Sequence, residues 1–505
     1  MTIIPVSEFA PDMPDMPAAA SDKIFNVVPA TPTSYGPQRS LGAYANAISA
    51  RCQGAFSAVD DVGDFRVFAG DVSKLYRMSA GAVAFSDVSK VGGYTTAAET
   101  QWNMTQFGTR VIATNYNDPP QSYVEGTSTL FEDLIATGLT TLKAKYCAVV
   151  RDFLVLANTT DGTYGTRPQR VHWSAINDPT NFPTPATTAA ANALSDFQDI
   201  VGTHGHIKGI IGNLGTADGA VFFERAVYRM AFAGMPTVFN IYPVEGALGL
   251  ISPGGLTQYG GLAFYVTEDG IKMFDGSNSK PIGKNKIDRF FYTELDSTYL
   301  DRISSAVDPS RGLIFFAYPA AGSGGVCNRV LIYNLSLDRW TATETDDVRL
   351  QILVRGATFG RTLEDLDSFG TLETLAYPLD SQAWIGGRDR LAGFDTDNRF
   401  GYFDGVNLAA RVESSEFEQI PGKQTLVNYV RPIVDTADCT LAMAARDRIQ
   451  DAPTYGAYTP LHRTGLVGVR SRGRYHRVSI KVPAGSEWNH ISGFDVEDAR
   501  PLGAF

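Results

Sequence analysis

The chain has 505 residues, of which 44% are hydrophobic and 19% charged, and its formal net charge is −11 at neutral pH. That length exceeds what one compact core usually holds, so two or more modules are expected, and the composition is that of a folded chain, not a disordered one. The acidic balance argues against a sequence-specific nucleic-acid binder, which needs a positive field to displace counterions from phosphate.

Glycine is plentiful, with 49 copies, and aromatics reach 11%. Many turns together with many Tyr and Phe favour sheets over helices. Residues 1 to about 45 read as an extended arm rich in Pro, Ala and Ser, without helical or strand period. Its apolar anchors Ile24, Phe25, Val27, Val28 and Tyr35 suggest a strap lying on an adjacent subunit.

From about 46 to 415 one theme repeats: a short apolar strand, a tight turn, and a second strand that often ends in an aromatic. Stretches 64–78, 146–158, 220–232, 262–276, 306–318 with 329–340, and 383–395 all follow it. Turn chemistry supports the reversals at Asp269-Gly270, at Asp308-Pro309 before Gly312, and at Gly386-Gly387. The units recur roughly every 40–50 residues, the spacing of propeller blades. The expected architecture is an all-β chain with a β-propeller of roughly six or seven blades, because four-stranded blades bury their faces only against one another. The stretches 158–196 and 345–380 blur the register. Helical patterns are short, around 186–196 and 287–300.

Residues 420 to 505 form a third zone, expected as a β-sandwich-like module. Strands are expected at 430–435, 439–447 and 465–483, the last turning at Ser471-Arg472-Gly473. On its returning half His476, Val478, Ile480 and Val482 share one face, and Tyr475, Arg477, Ser479 and Lys481 share the other. Arg470, Arg472, Arg474, Arg477 and Lys481 make the densest positive cluster. It reads as an interface with an acidic neighbour, as a guide for DNA phosphates, or simply as a solvated face and turn.

The usual catalytic signatures do not occur: there is no GxSxG, HExxH, Walker A or GxGxxG. Cys52, Cys147, Cys327 and Cys439 are too far apart in sequence for a CxxC unit and read as buried apolar side chains. His204 and His206 are the one close histidine pair, without an evident third ligand. The adjacent acids Glu132-Asp133, Glu268-Asp269 and Asp346-Asp347 point apart on strands and read as turn or surface groups, and Asp395, Asp397 and Asn398 lack the Gly and distal Glu of a calcium loop. No catalytic residue, cofactor or metal is expected. The N-terminus lacks a signal-peptide pattern and no stretch is long and apolar enough to span a membrane, so synthesis in a cytoplasm is expected.

Several segments carry a family resemblance. NVVPATPTSYGPQRSL (26–41), QFGTRVIATNYNDPPQ (106–121), the region 146–182 ending in RPQRVHWSAINDPTNF, and GLAFYVTEDGIKMFDG…IGKNKIDRFF (261–291) resemble the tail nozzle proteins of short-tailed bacteriophages. These are also called tail hub or DNA-stabilisation proteins. The closing stretch 472–497 is similar to the C-terminal module of many phage structural proteins. The similarity spans nearly the whole chain and lies in strand-and-turn patterns, not in a catalytic signature.

That resemblance implies a non-enzymatic virion subunit, with six copies ringed beneath the head-to-tail adaptor and portal. The ring would surround the genome-ejection channel, retain packaged DNA without reading its sequence, and anchor tail fibres or spikes. A propeller-based glycan-binding or glycan-degrading virion protein is the alternative, since fold alone does not decide function.

Overall fold

The computed structural model describes residues 3–14, 20–60, 63–79, 84–357, 371, 379 and 389–503. The expected turn at Gly386-Gly387 and much of the 345–380 stretch lie outside these residues. The chain is all-β: its strands are short, and its pairings are mostly antiparallel. Among the described residues no helix is long and apolar enough to cross a membrane.

Local turn chemistry builds the hairpins. Arg151 at φ 52° sits in the two-residue turn between Val150 and its partner Phe153. Gly312 at φ 63° closes the hairpin of Ser304–Asp308 with Leu313–Tyr318, and Asp308 Oδ1 accepts from the Ser310 amide at 3.1 Å. Helices form where short patterns were expected, at Thr188–Ala193 and Asp288–Glu294. Thr187 Oγ1 caps the first by accepting from the Ala190 amide.

Successive hairpins assemble into four-stranded antiparallel meanders. The first runs through Gly54–Val59, Phe65–Gly70, Leu75–Ser79 and Ala84–Asp87. The second begins at Asn103–Phe107, the third at Lys143–Val150, the fourth at Ile207–Leu214 and the fifth at Leu256–Tyr259. The sixth, from Ser304–Asp308 to Arg339–Ala342, opens a ten-stranded sheet. The seventh joins Leu350–Ala357, Asp389–Asp395 and Arg399–Tyr402 to Gly42–Ala47, a strand drawn from the N-terminal arm.

Because side chains alternate along a strand, each central strand feeds two different cores. Phe316 packs with Phe264, Ile271 and Trp340 between the fifth and sixth sheets. Its neighbour Phe315 packs with Ile332, Leu353 and Leu391 between the sixth and seventh. Similar clusters fill the spaces between the first and second, second and third, third and fourth, and fourth and fifth sheets. A further cluster joins Phe394, Phe400 and Tyr402 of the seventh sheet to Val67, Tyr76 and Met78 of the first. Backbones approach closely between first strands: a Cβ on Gly212 would lie 1.8 Å from the Val149 carbonyl oxygen, and one on Gly54 2.4 Å from that of Trp102.

The arm is woven into its own chain. Ile24, Phe25, Val27, Val28 and Tyr35, expected as anchors on a neighbour, are all buried here. Ile24–Phe25 lies between Arg339–Ala342 and Ala410–Glu413 in the ten-stranded sheet. Val27–Thr31 and Ser34–Pro37 extend a six-stranded sheet that also holds Val467–Gly473, Gln424–Val434 and Ile491–Gly503. Segments on both sides of residue 45, and of residue 415, therefore share sheets. Val427, Val430 and Phe494 of the six-stranded sheet share one cluster with Leu441, Met443 and Ile480 of the ten-stranded one.

The hairpin expected at Ser471-Arg472-Gly473 does not form. Val467–Gly473 pairs with Gln424–Val434, whereas Tyr475–Val482 pairs with Ala410–Glu413 and Thr440–Arg446 in the other sheet. The chain changes sheets at Arg474, where Gly473 passes tightly over Ala445; a Cβ there would meet that of Ala445 at 2.8 Å.

Arg339 fastens the arm. Its guanidinium donates to Ser7 O at 3.1 Å, Pro32 O at 2.8 Å and Tyr35 Oη at 2.6 Å, and lies 4.5 Å from the Tyr35 ring centroid. Replacing it leaves buried acceptors without donors, which costs roughly 1–3 kcal/mol for each such group. Arg339→Leu is therefore expected to destabilise the chain by about 3 kcal/mol in urea unfolding, whereas Arg349→Ala, which removes an exposed ion pair, should change stability by less than about 0.5 kcal/mol.

Candidate functional site

The first strands of the seven meanders converge on one cavity of about 470 Å³. Phe56 comes from the first sheet, Met104 from the second, Lys145 and Tyr146 from the third, Lys208 and Ile211 from the fourth. Leu256 and Gln258 come from the fifth, Ser305 from the sixth and Arg355 from the seventh. Glu99, Gln101 and Asp301 line it from connecting segments. The size falls within the range of small-molecule sites, and the lining mixes apolar walls with a few polar groups.

Charge in the cavity is unevenly placed. Glu99 and Asp301 are exposed, and Glu99 is held by Arg302 through bonds of 2.7 and 2.9 Å, which lower its carboxyl below the usual range. Lys145 and Lys208 are half-buried. Burial, and then the neighbouring Lys208 charge, pull the Lys145 ammonium below the ordinary lysine value. Lys208 has a loose partner in Glu224 at 3.8 Å, and Arg355 pairs with Asp389. Among the described residues the Lys145 ammonium has no hydrogen bond or ion pair; its Nζ lies 5.9 Å from the Tyr146 ring centroid. The Tyr146 hydroxyl is buried without a hydrogen-bond partner among the described residues, and burial raises it well above the ordinary phenol value.

The basic group read from the C-terminal sequence is divided by the fold. Arg470 and Arg472 are exposed on Val467–Gly473, an edge strand, and Arg472 donates to Gln424 at 3.3 Å. Arg474 pairs with Glu418 at 2.9 Å, and the buried Arg477 reaches Asp22 of the arm at 3.3 Å. Lys481 lies 4.1 Å from the Tyr458 ring centroid. The face carrying Arg477 and Ser479 is therefore covered, because segment 454–460 folds over it. Tyr455 donates to the buried Glu413 at 2.7 Å, and the Tyr458 and Ser479 hydroxyls are 2.8 Å apart.

His204 bonds to the Ile200 carbonyl at 2.9 Å and packs edge-on against Phe223, while His206 is exposed. Among the described residues no group of three or more His, Cys, Asp or Glu is placed to hold a metal ion. The four cysteines are buried and unpaired, and burial pushes the thiols of Cys52, Cys147 and Cys327 up to about 12. Asp395 accepts from the Asp397 and Arg399 amides at 2.9 and 2.8 Å, so this group shapes a hairpin turn.

Sequence reasoning missed Lys145, Lys208 and Tyr146. The local signal was Lys143 and Lys145 alternating at the head of an otherwise apolar strand, which places a cation on a half-buried face.

Neither a protein-family model nor a curated protein matches the chain. Among solved structures it is similar to the extracellular domain of the putative hybrid two component system BT4673 from B. thetaiotaomicron, at 11% identity and a TM-score of 0.35. That match covers 86% of this chain and 48% of the other, so the chain spans about half the length of that protein. It is also similar to a chain of a Mitotic Checkpoint Complex crystal structure, at 10% identity and a TM-score of 0.36, covering 73% of this chain and 95% of that one.

His172 supplies a pH handle. It is fully buried between the Phe182 and Phe197 rings, and neither ring nitrogen has a hydrogen-bond partner among the described residues. Burial, then the Arg170 charge, lowers it to about 4. A base depressed in the folded state contributes its stability above its unfolded value near 6.5, and loses it as pH falls toward 4. Denaturant unfolding of His172→Phe is expected to lose about 3 kcal/mol less than the parent between pH 7.5 and pH 4.

Proposed function

We propose that the seven meanders close as a seven-bladed β-propeller, with Gly42–Ala47 completing the last blade and the two C-terminal sheets forming a sandwich-like module. We further propose that the chain is the structural subunit of a tail nozzle or hub ring of a short-tailed bacteriophage. In this reading six copies sit below portal and adaptor, line the DNA-ejection channel, hold back the packaged genome and anchor fibres or spikes.

The observation that carries the architecture is the cluster between the seventh and first sheets, with the first strand Gly54–Val59 lying against both Asn103–Phe107 and Leu350–Ala357. Continuous packing around such a circuit leaves only short outer edges, the way propellers manage sheet edges. The resemblance of the strand-and-turn segments to nozzle proteins supplies the functional half of the proposal. An arm sewn through three sheets of its own chain fits a part that must bear load. The exposed Arg470 and Arg472 are the members of the basic group left open to an acidic neighbour.

A glycan-cleaving propeller needs facing carboxylates. Of the two that line the cavity, Glu99 is already engaged by Arg302, which disfavours that reading.

Cryo-electron microscopy of the purified chain mixed with its head-to-tail adaptor tests the proposal. It predicts a six-fold collar around a channel. Particles that stay monomeric with both adaptor and fibre present contradict it.

A further inference from the structure

Outside the structural role, the cavity holds an unsatisfied set of polar groups. Lys145 and Lys208 stand on adjacent first strands, Lys143–Val150 and Ile207–Leu214, and both line the cavity. Two ammonium groups brought close in a half-buried space repel one another, and that cost is relieved when an anion lies between them. Glu224 meets Lys208 at 3.8 Å, too far for a hydrogen bond, and nothing among the described residues neutralises Lys145 by contact.

Of the carboxylates that line the same cavity, Glu99 is engaged by Arg302, and Asp301 is exposed to water, where its field on Lys145 is screened. The two half-buried ammonium groups therefore favour an anion within. Apolar walls from Met104, Ile211 and Leu256 accommodate a non-ionic body attached to it.

We propose that this cavity binds a small organic anion, with its phosphate or carboxylate group between Lys145 and Lys208. The inference does not rest on the nozzle reading, since it needs only the cavity and its lining. The anionic group has two chemical sources: a phosphorylated sugar, or a uronic acid such as those in acidic polysaccharides.

Isothermal titration of the full chain with glucose 6-phosphate, glucuronate and glucose separates them. At least one anion is expected to bind ten-fold or more tightly than neutral glucose. Lys145→Gln should weaken that binding at least ten-fold, and Lys208→Gln several-fold. Preference for glucose 6-phosphate identifies a phosphate site, preference for glucuronate a carboxylate site, and equal binding a general anion site. Equal weak binding of all three sugars, or unchanged affinity in Lys145→Gln, overturns the proposal. Reductive methylation with ¹³C-formaldehyde gives a second readout, in a chain that keeps Lys145, and needs only the conservative Lys145→Arg variant for assignment. The Lys145 dimethylamine signal, assigned by its loss in Lys145→Arg, should titrate at higher pH with anion bound; an unmoved titration contradicts the site.

Discussion

A four-stranded sheet has two faces, and neither can be left bare in water. Nearly everything in this chain follows from how that constraint is met. Phe222 and Phe223 lie next to one another on Ala217–Phe223 yet belong to different cores, one shared with the fifth sheet and the other with the third. Each sheet is therefore a wall between two hydrophobic clusters, and removing one strand uncovers two neighbours. The seventh and first sheets also share one such cluster. Here Tyr44, from the arm, packs edge-to-face on Tyr402 at 4.9 Å, and both join the cluster that reaches Val67 and Met78.

The same arm ties the C-terminal sheets to the rest. Asn26, held at φ 60°, donates from its side chain to Ala409 O at 2.8 Å and accepts from the Glu344 amide at 2.9 Å. Ala43 pairs with Gly401, and Ile4 with Phe494, so the strands made first are completed by strands made last. Pairings of such sequence separation carry a loop-closure cost and slow folding. In return the chain gains a body whose termini are fixed in sheets, suited to the load-bearing role proposed for it. The cavity follows from the same geometry, because first strands that lean on one another leave a space where seven meanders meet.

Much of the hairpin series was legible because its information is local. Asp308-Pro309 with Gly312, and the alternation in AVFFERAVYRMAF, specify turn and register within a dozen residues. The short helices at 188–193 and 288–294 were legible for the same reason. What was not legible is non-local. Ile24–Phe25 is two residues long and owes its place to two strands more than 300 residues downstream. The Arg477 face reads as basic and outward until Glu413, Tyr455 and Tyr458, from other segments, are brought over it. The cavity is further from view still, since each first strand contributes only a few residues and none carries a motif.

The central claim is that Gly42–Ala47 seals the proposed circuit of sheets as an integral strand. Native-state amide hydrogen exchange read by mass spectrometry addresses it directly. The account predicts that the amides of 42–47 are protected together with those of 391–394 and 399–402, opening only with the same cooperative unit. Exchange of 42–47 at the rate of unstructured chain, while the partner strands stay protected, would contradict it.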